Sequence, residues 1–211
     1  MKAIVLSAQK PVDNEIEKVI ALFEKGLTRF HLRKTHYSLR RMKSYLEKIP
    51  KQYHNKIVIH SHHKLALKYN LQGIHLTSKD RKAGFSNRLK VKIIKYRKPK
   101  LTVSTSFSSI SALDKFDDLY DYVFLSPIFD SISKKDYQSG FKEFRLTSAI
   151  QSSNYKVVAL GGVDNNNVNK AFNIGFWGSA FLGTIWTEDS PIEKFIEIKK
   201  TCKQISEKRF L

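Results

Sequence analysis

The chain has 211 residues, 41% of them apolar and 12% aromatic, enough to bury one sizeable core and to exclude a disordered polar chain. Its formal charge of +19 points toward polyanions, whether nucleic acid, an anionic membrane or a small phosphorylated substrate. The single cysteine, Cys202, excludes an internal disulfide, and no apolar run approaches the ~18 residues of a membrane span, so a cytoplasmic protein without membrane contact is expected.

In chain order, Ala3–Leu6 reads as a first strand. Asn14–Lys25 follows as a helix, with Ile16, Val19, Ile20 and Phe23 on one face and Gly26 placed to stop it. Thr28–Leu32 is the second strand, and Ser38–Glu47 a helix with Ser38 as N-cap and Leu39, Met42 and Leu46 facing inward, ended by Pro50. Ile57–Ile59 is the third strand, His63–Tyr69 a short helix and Gly73–Leu76 the fourth strand. The basic block Arg88–Lys100 comes next. Leu89, Ile93 and Tyr96 recur at roughly helical spacing, which predicts an inward apolar face and a solvated face of cations.

Leu101–Ser104 is the fifth strand, followed by a helix containing Ile110, Leu113 and Phe116. Tyr122–Leu125 is the sixth, broken by Pro127. A helix around Phe141–Gln151 leads to the seventh strand, Lys156–Leu160, closed by Gly161-Gly162. Val168, Ala171 and Phe172 mark the next helix, Ser179–Leu182 the eighth strand, and Pro191 opens a final helix. Strand–helix alternation predicts a parallel sheet, and eight repeats predict one (β/α)8 barrel domain over residues 1–211. The alternative is an open doubly wound sheet, which lacks support because no Gly-x-Gly-x-x-Gly follows the first strand.

Active sites of such barrels lie at the C-terminal strand ends, and that rule sorts the chemistry-bearing residues. His31, Arg33 and Lys34 follow the second strand, His60-Ser61-His62-His63 the third, and His75 and Asp80 the fourth, while Ser104 closes the fifth. Ser131, Ser133 and Lys134 follow the sixth strand, Gly161 and Gly162 the seventh, and Gly183 the eighth. Two hydroxyls and an ammonium in one loop read either as a phosphate grip or as a plain turn with a solvated lysine. The glycines let backbone amides approach an oxyanion where barrels often hold phosphate. Asp80 is the one clear carboxylate, so the mouth suits an anion rather than paired-carboxylate acid–base work. No cysteine or nearby carboxylate completes a zinc set with the His60–His63 run. His60 is therefore expected to face the pocket as a hydrogen-bonding group, His62 and His63 to begin a helix, and His75 to be a satisfied histidine near the barrel end. No zinc-finger spacing, RNP motif or long basic tail supports nucleic acid as the partner.

Six segments in chain order resemble the thiamine phosphate synthase/TenI family. Phe30-His31-Leu32-Arg33 resembles its Gln-Leu-Arg segment, which grips the pyrophosphate of hydroxymethylpyrimidine diphosphate. Ile59–Leu67 stands at its Ile-Asn-Asp and short helix. Gly73-Ile74-His75-Leu76 with Asp80 is similar to Gly-Val-His-Leu-Gly-Gln-x-Asp, whose last aspartate binds Mg²⁺. Val103-Ser104 matches a serine that contacts the pyrimidine. Ser126–Lys134 matches Gly-Pro-Ile-Phe-x-Thr-x-Thr-Lys, with serines for both threonines and a lysine for pyrophosphate. Ala159–Val163 resembles Ala-Ile-Gly-Gly-Ile, the thiazole phosphate loop.

The resemblance implies a transferase that joins the pyrimidine diphosphate to thiazole phosphate, with Arg33 and Lys134 as the principal catalytic cations. His31, Lys34, His60, Ser61, Ser104, Ser131, Ser133, Gly161, Gly162 and Gly183 are the implied substrate contacts, and Asp80 the implied Mg²⁺ ligand. His60-Ser61 replaces the family's Asn-Asp, removing one expected Mg²⁺ carboxylate, and Thr35 stands where a lysine is usual. The alternatives are a TenI-type tautomerase, against which Pro127 stands where that branch carries a histidine, and a non-enzymatic phosphate-ligand or nucleic-acid binder. Homo-oligomerisation stays open.

Overall fold

The computed structural model describes residues 1–129 and 142–207. Eight strands, β1 (Lys2–Leu6), β2 (Phe30–Leu32), β3 (Ile57–Ile59), β4 (Gly73–Leu76), β5 (Thr102–Phe107), β6 (Tyr122–Leu125), β7 (Val157–Leu160) and β8 (Gly178–Phe181), pair in sequence order. Every pairing is parallel, and β8 closes on β1 through Lys2↔Gly178 to Val5↔Phe181, so the sheet is a closed barrel rather than an open one. Its helices are α1 (Glu15–Glu24), α2 (Leu39–Glu47), α3 (Leu65–Lys68), α4 (Ser78–Lys82), α5 (Gly84–Arg97), α6 (Glu143–Ser152), α7 (Val168–Ile174), α8 (Gly183–Trp186) and α9 (Pro191–Glu207). Short 3₁₀ segments cover Lys51–Lys56 and Ile110–Leu113.

Strands buried on both faces explain the short continuous apolar runs of the sequence. One set of positions, including Val5, Phe30, Ile57, Ile59, Ile74, Val103, Val123 and Val157, packs outward against the helices. The alternate set fills the bore: Ile4, Leu6, Tyr122, Phe124, Val158 and Ala180 form an apolar half. The other half is polar, built from His31, His60, His75 and Ser104, all buried.

The helix boundaries follow local chemistry. Ser38 caps α2 by accepting a hydrogen bond from the Arg41 N–H at 3.2 Å. Thr77 and Asp80 form a reciprocal capping box that starts α4 at Ser78. Gly175 ends α7 at φ 109°, a left-handed conformation that glycine adopts without penalty.

Four expectations are corrected. In α5 the buried residues are Val91 and Ile94, while Leu89, Ile93 and Tyr96 face solvent, because the helix lies on the barrel along the face opposite that stripe. Leu39 is likewise exposed, and Tyr45 joins Met42 and Leu46 in the α2 contact. The expected helix of Ile110, Leu113 and Phe116 is only a 3₁₀ turn that buries Leu113, with Phe116 exposed. Strand β5 runs to Phe107, not Ser104.

Candidate functional site

A cavity of about 360 Å³ opens at the C-terminal end of the strands. Its apolar wall is Leu6, Phe124 and Leu160, and its polar wall is Arg33, His60, His75, Arg81, Ser106 and Ser126. Among the residues expected from sequence to touch substrate or to act as catalytic cations, Arg33 and His60 therefore meet at one pocket.

Arg33 leaves the end of β2, and its backbone N–H is fixed by the buried Ser7 hydroxyl at 2.9 Å, leaving the guanidinium exposed at the rim. Lys34, one position on, points the opposite way and is not a mouth cation. Its side chain is 2% exposed, and its ammonium is bonded to the Glu15 carboxylate at 2.8 Å and the Ala8 carbonyl at 2.6 Å. Alternation along an extended chain is the reason, since adjacent side chains face opposite sides.

His31 lies one layer below Arg33 on the same face. Its Nδ1 meets His60 Nε2 at 2.9 Å and its Nε2 meets the Tyr122 hydroxyl at 2.8 Å, so both nitrogens are used within the bore and none is left for a substrate. His75 is satisfied as expected, with Nδ1 on Ser104 Oγ at 2.9 Å and Nε2 on Ser106 Oγ at 3.1 Å. Ser104 is itself wholly buried beneath the pocket. Because β5 is two residues longer than expected and its side chains alternate, Ser106 is the serine that reaches the cavity.

Complete burial holds all three bore histidines well below the ordinary imidazole range. For His31 the neighbouring His75 and Arg29 add to the effect, and for His60 the neighbours His75, His31 and Arg33 do so. His75 is pushed down to about 3, by burial first and then by Arg33, His63 and Arg81. The bore is thus a neutral hydrogen-bonded cluster facing a cationic rim. His62 and His63 precede α3 instead of starting it: His62 sits at φ 54° with Nε2 on the Tyr37 carbonyl at 2.8 Å, and His63 reaches the His75 carbonyl at 3.1 Å. Ser61 does not line the cavity, and its buried hydroxyl has no hydrogen-bond partner among the described residues.

Arg81 is the residue that sequence reasoning missed. It lines the cavity from α4 and anchors its guanidinium on the Thr105 hydroxyl at 2.6 Å. The Thr77-x-x-Asp80 spacing was the available signal, because a capping box starts a helix whose first turn would swing Arg81 toward the strand ends. The same box engages Asp80: its Oδ2 accepts from the Thr77 N–H at 2.8 Å and the Thr77 hydroxyl at 2.6 Å. One Asp80 oxygen is spent on the cap and Ser61 stands where the resemblance implies a second carboxylate, so among the described residues no set of carboxylates converges, and a Mg²⁺ at Asp80 would draw its remaining oxygen ligands from substrate phosphates and water. Among the described residues, the metal-ligating side chains that converge as a group are instead His31, His60 and His75.

Gly161 and Gly162 follow β7 at φ 91° and 67°. Gly161 is required by packing, since a Cβ there would stand 3.0 Å from Pro127 Cα, and the Phe129 N–H donates to its carbonyl at 3.1 Å. The Gly162 carbonyl accepts from Asn167 Nδ2 at 2.7 Å. Gly183 opens the short α8 after β8, so the turns after the last two strands stand together, tied by the Thr184 hydroxyl to the Val163 carbonyl at 2.5 Å. None of the three glycines lines the described cavity. Ser131, Ser133 and Lys134 lie outside the described residues.

A family model described as thiamine monophosphate synthase matches residues 3–185. A thiamine-phosphate synthase of Clostridium tetani is 27% identical over 158 residues, covering 75% of this chain and 69% of its own length. One from Pediococcus pentosaceus is 23% identical over 194 residues, covering 86% and 87%. Among solved structures, a thiamine phosphate pyrophosphorylase of Bacteroides thetaiotaomicron superposes with a TM-score of 0.76 at 29% identity, covering 96% of this chain and 98% of that one. With eight parallel strands closed in order, a cationic mouth and a match running from the first strand to α8, this chain belongs to the thiamine monophosphate synthase family.

Proposed function

We propose that the protein is a thiamine phosphate synthase, joining hydroxymethylpyrimidine diphosphate to thiazole phosphate with release of pyrophosphate. The family match across nearly all of the barrel supports this reading, and the observation that carries it to the site is the pairing of Arg33 and Arg81 at the rim of one cavity. As the pyrimidine methylene loses its leaving group it becomes cation-like, and negative charge accumulates on the departing pyrophosphate. Fixed guanidiniums stabilise that charge more in the transition state than in the ground state. Arg33 and Arg81 hold the diphosphate in this reading, and Lys134 joins them on the strength of the Ser126–Lys134 resemblance alone. The glycine turns after β7 and β8 hold the thiazole phosphate across the mouth. Leu6, Phe124 and Leu160 shield the reacting carbon from water. No protein nucleophile is needed. The Mg²⁺ expected from the family takes no step in this account.

The test is purified protein with both substrates, scored for thiamine phosphate and pyrophosphate. Formation of both, reduced by Arg81→Ala, supports the reading, and neither product under any divalent cation would overturn it. The isomerase reading keeps one specific observation, the placement of the titratable side chain of His60 at the cavity, set against burial that makes its imidazole a weak base. Incubating the thiazole substrate alone in D₂O separates the two, since only an isomerase would exchange its ring-adjacent hydrogens.

A further inference from the structure

We propose that His31, His60 and His75 form a three-imidazole site in the barrel bore for a transition-metal dication of the Zn²⁺ class, with its open position toward the mouth cavity. One ring nitrogen from each residue lies within 4.8 Å of the other two. Tetrahedral zinc with Zn–N bonds of about 2.0–2.1 Å sets neighbouring nitrogens about 3.3 Å apart. The His31 Nδ1 to His60 Nε2 separation, 2.9 Å, is that of two nitrogens sharing one proton, and an ion replacing the proton needs them to part by a few tenths of an ångström. His60 and His75 stack at 4.1 Å with their planes 19° apart, so His75 tilts about its Cβ–Cγ bond to aim a nitrogen at the shared centre. The longer of its two hydrogen bonds, to Ser106 at 3.1 Å, is the one released.

The surroundings match what a nitrogen-donor site requires. Ligating imidazoles are held by a partner on the other ring nitrogen, which fixes the tautomer. His31 has the Tyr122 hydroxyl at 2.8 Å and His75 the Ser104 hydroxyl at 2.9 Å in that role. All three rings are buried and neutral, as metal-binding imidazoles must be. Both His60 and His75 line the cavity above, so three protein ligands leave a fourth position facing the substrate space, the arrangement of catalytic rather than structural zinc. Neutral nitrogen donors select zinc, cobalt, nickel or copper over magnesium. The same barrel mouth that has lost a carboxylate at Ser61 therefore offers a softer set one layer deeper.

The proposal stands apart from the condensation reading, because metal binding is read without substrate. Chelator-treated full-length protein is titrated with Co²⁺, followed by its visible absorption, and then with Zn²⁺ in competition. One equivalent giving the intense absorption of a tetrahedral site, displaced by Zn²⁺ but not by excess Mg²⁺, supports it. His75→Gln and His31→Gln should each weaken binding at least about a hundredfold. Tyr122→Phe, which keeps the ring, should weaken it by about ten- to a hundredfold. The exposed His36→Gln should leave it unchanged. If His31→Gln fails to fold, Tyr122→Phe and His75→Gln decide the matter. No binding at micromolar Co²⁺, or binding unchanged in those variants, overturns the proposal.

Discussion

Arg33 and Lys34 leave the same strand end on opposite sides of the barrel wall, and their substitution should separate cleanly. Arg33→Ala removes an exposed guanidinium that, in the proposed function, holds the diphosphate and stabilises its departure. Thiamine phosphate formation should fall on the order of a hundredfold in kcat/KM while Tm stays put. Lys34→Ala strands the Glu15 carboxylate, 9% exposed, without its partner. Losing one half of a buried pair costs about 3–5 kcal/mol, so urea unfolding should shift strongly. A Lys34→Ala protein of native stability would show that the lysine is free after all. At the Arg88–Asp117 contact, hydrogen-bonded at 2.5 and 2.9 Å, Arg88 holds the Asp117 carboxyl below the usual range. A depressed folded-state value means that the stabilisation exists above the unfolded value of 3.8 and is lost as pH falls through the folded one. Asp117→Asn should therefore be less stable than the parent at pH 7, by no more than about 1 kcal/mol at so exposed a site, and equal to it in strong acid. An identical gap at both extremes would exclude the linkage.

At the scale of elements, α5 shows how a period can be right and a phase wrong. Its sequence carries two apolar stripes, Leu89–Ile93–Tyr96 and Val91–Ile94, and the shorter one is the buried one. Ile94→Ala should cost about 2–5 kcal/mol, as core truncations do. Leu89→Ser, at a side chain 48% exposed, should stay within about 0.5 kcal/mol. The reverse order in denaturant midpoints would mean the helix sits half a turn round from where it is described. Helix starts were read at Ser38 and Pro191, whereas the Thr77–Asp80 capping box that starts α4 was passed over. The turn at Ile110–Leu113 was not legible, because its apolar residues pack singly and no helical face is completed.

For the whole molecule, α9 packs against α1, α7, α8 and β1, the seam where the barrel's first and last strands meet. Cys202 lies at that contact, 3% exposed, and burial pushes its thiol up to about 11. At pH 8 a thiol reagent should react only through opening of the structure, so its rate should rise with urea in step with global unfolding. Fast, urea-independent labelling would show that α9 detaches locally.

The sequence by itself determined the strand count, their parallel sense and the cationic character of the mouth. Runs such as Tyr122–Leu125 must bury both faces, and glycines and cations cluster at the same strand ends. Strand existence is a local matter of pattern, which is why β3, β4 and β6 agree to the residue. Only the tertiary structure decided which residue of each strand end occupies which layer. Lys34 turned outward, Ser104 gave place to Ser106, and Arg81 entered from a helix start. His31, His60 and His75 come from three separate strand ends, and nothing in their spacing along the chain brings them together. Closure of the barrel does, because the tilt and register of parallel strands set the depth of every inward side chain, and that register is a long-range property no local window contains.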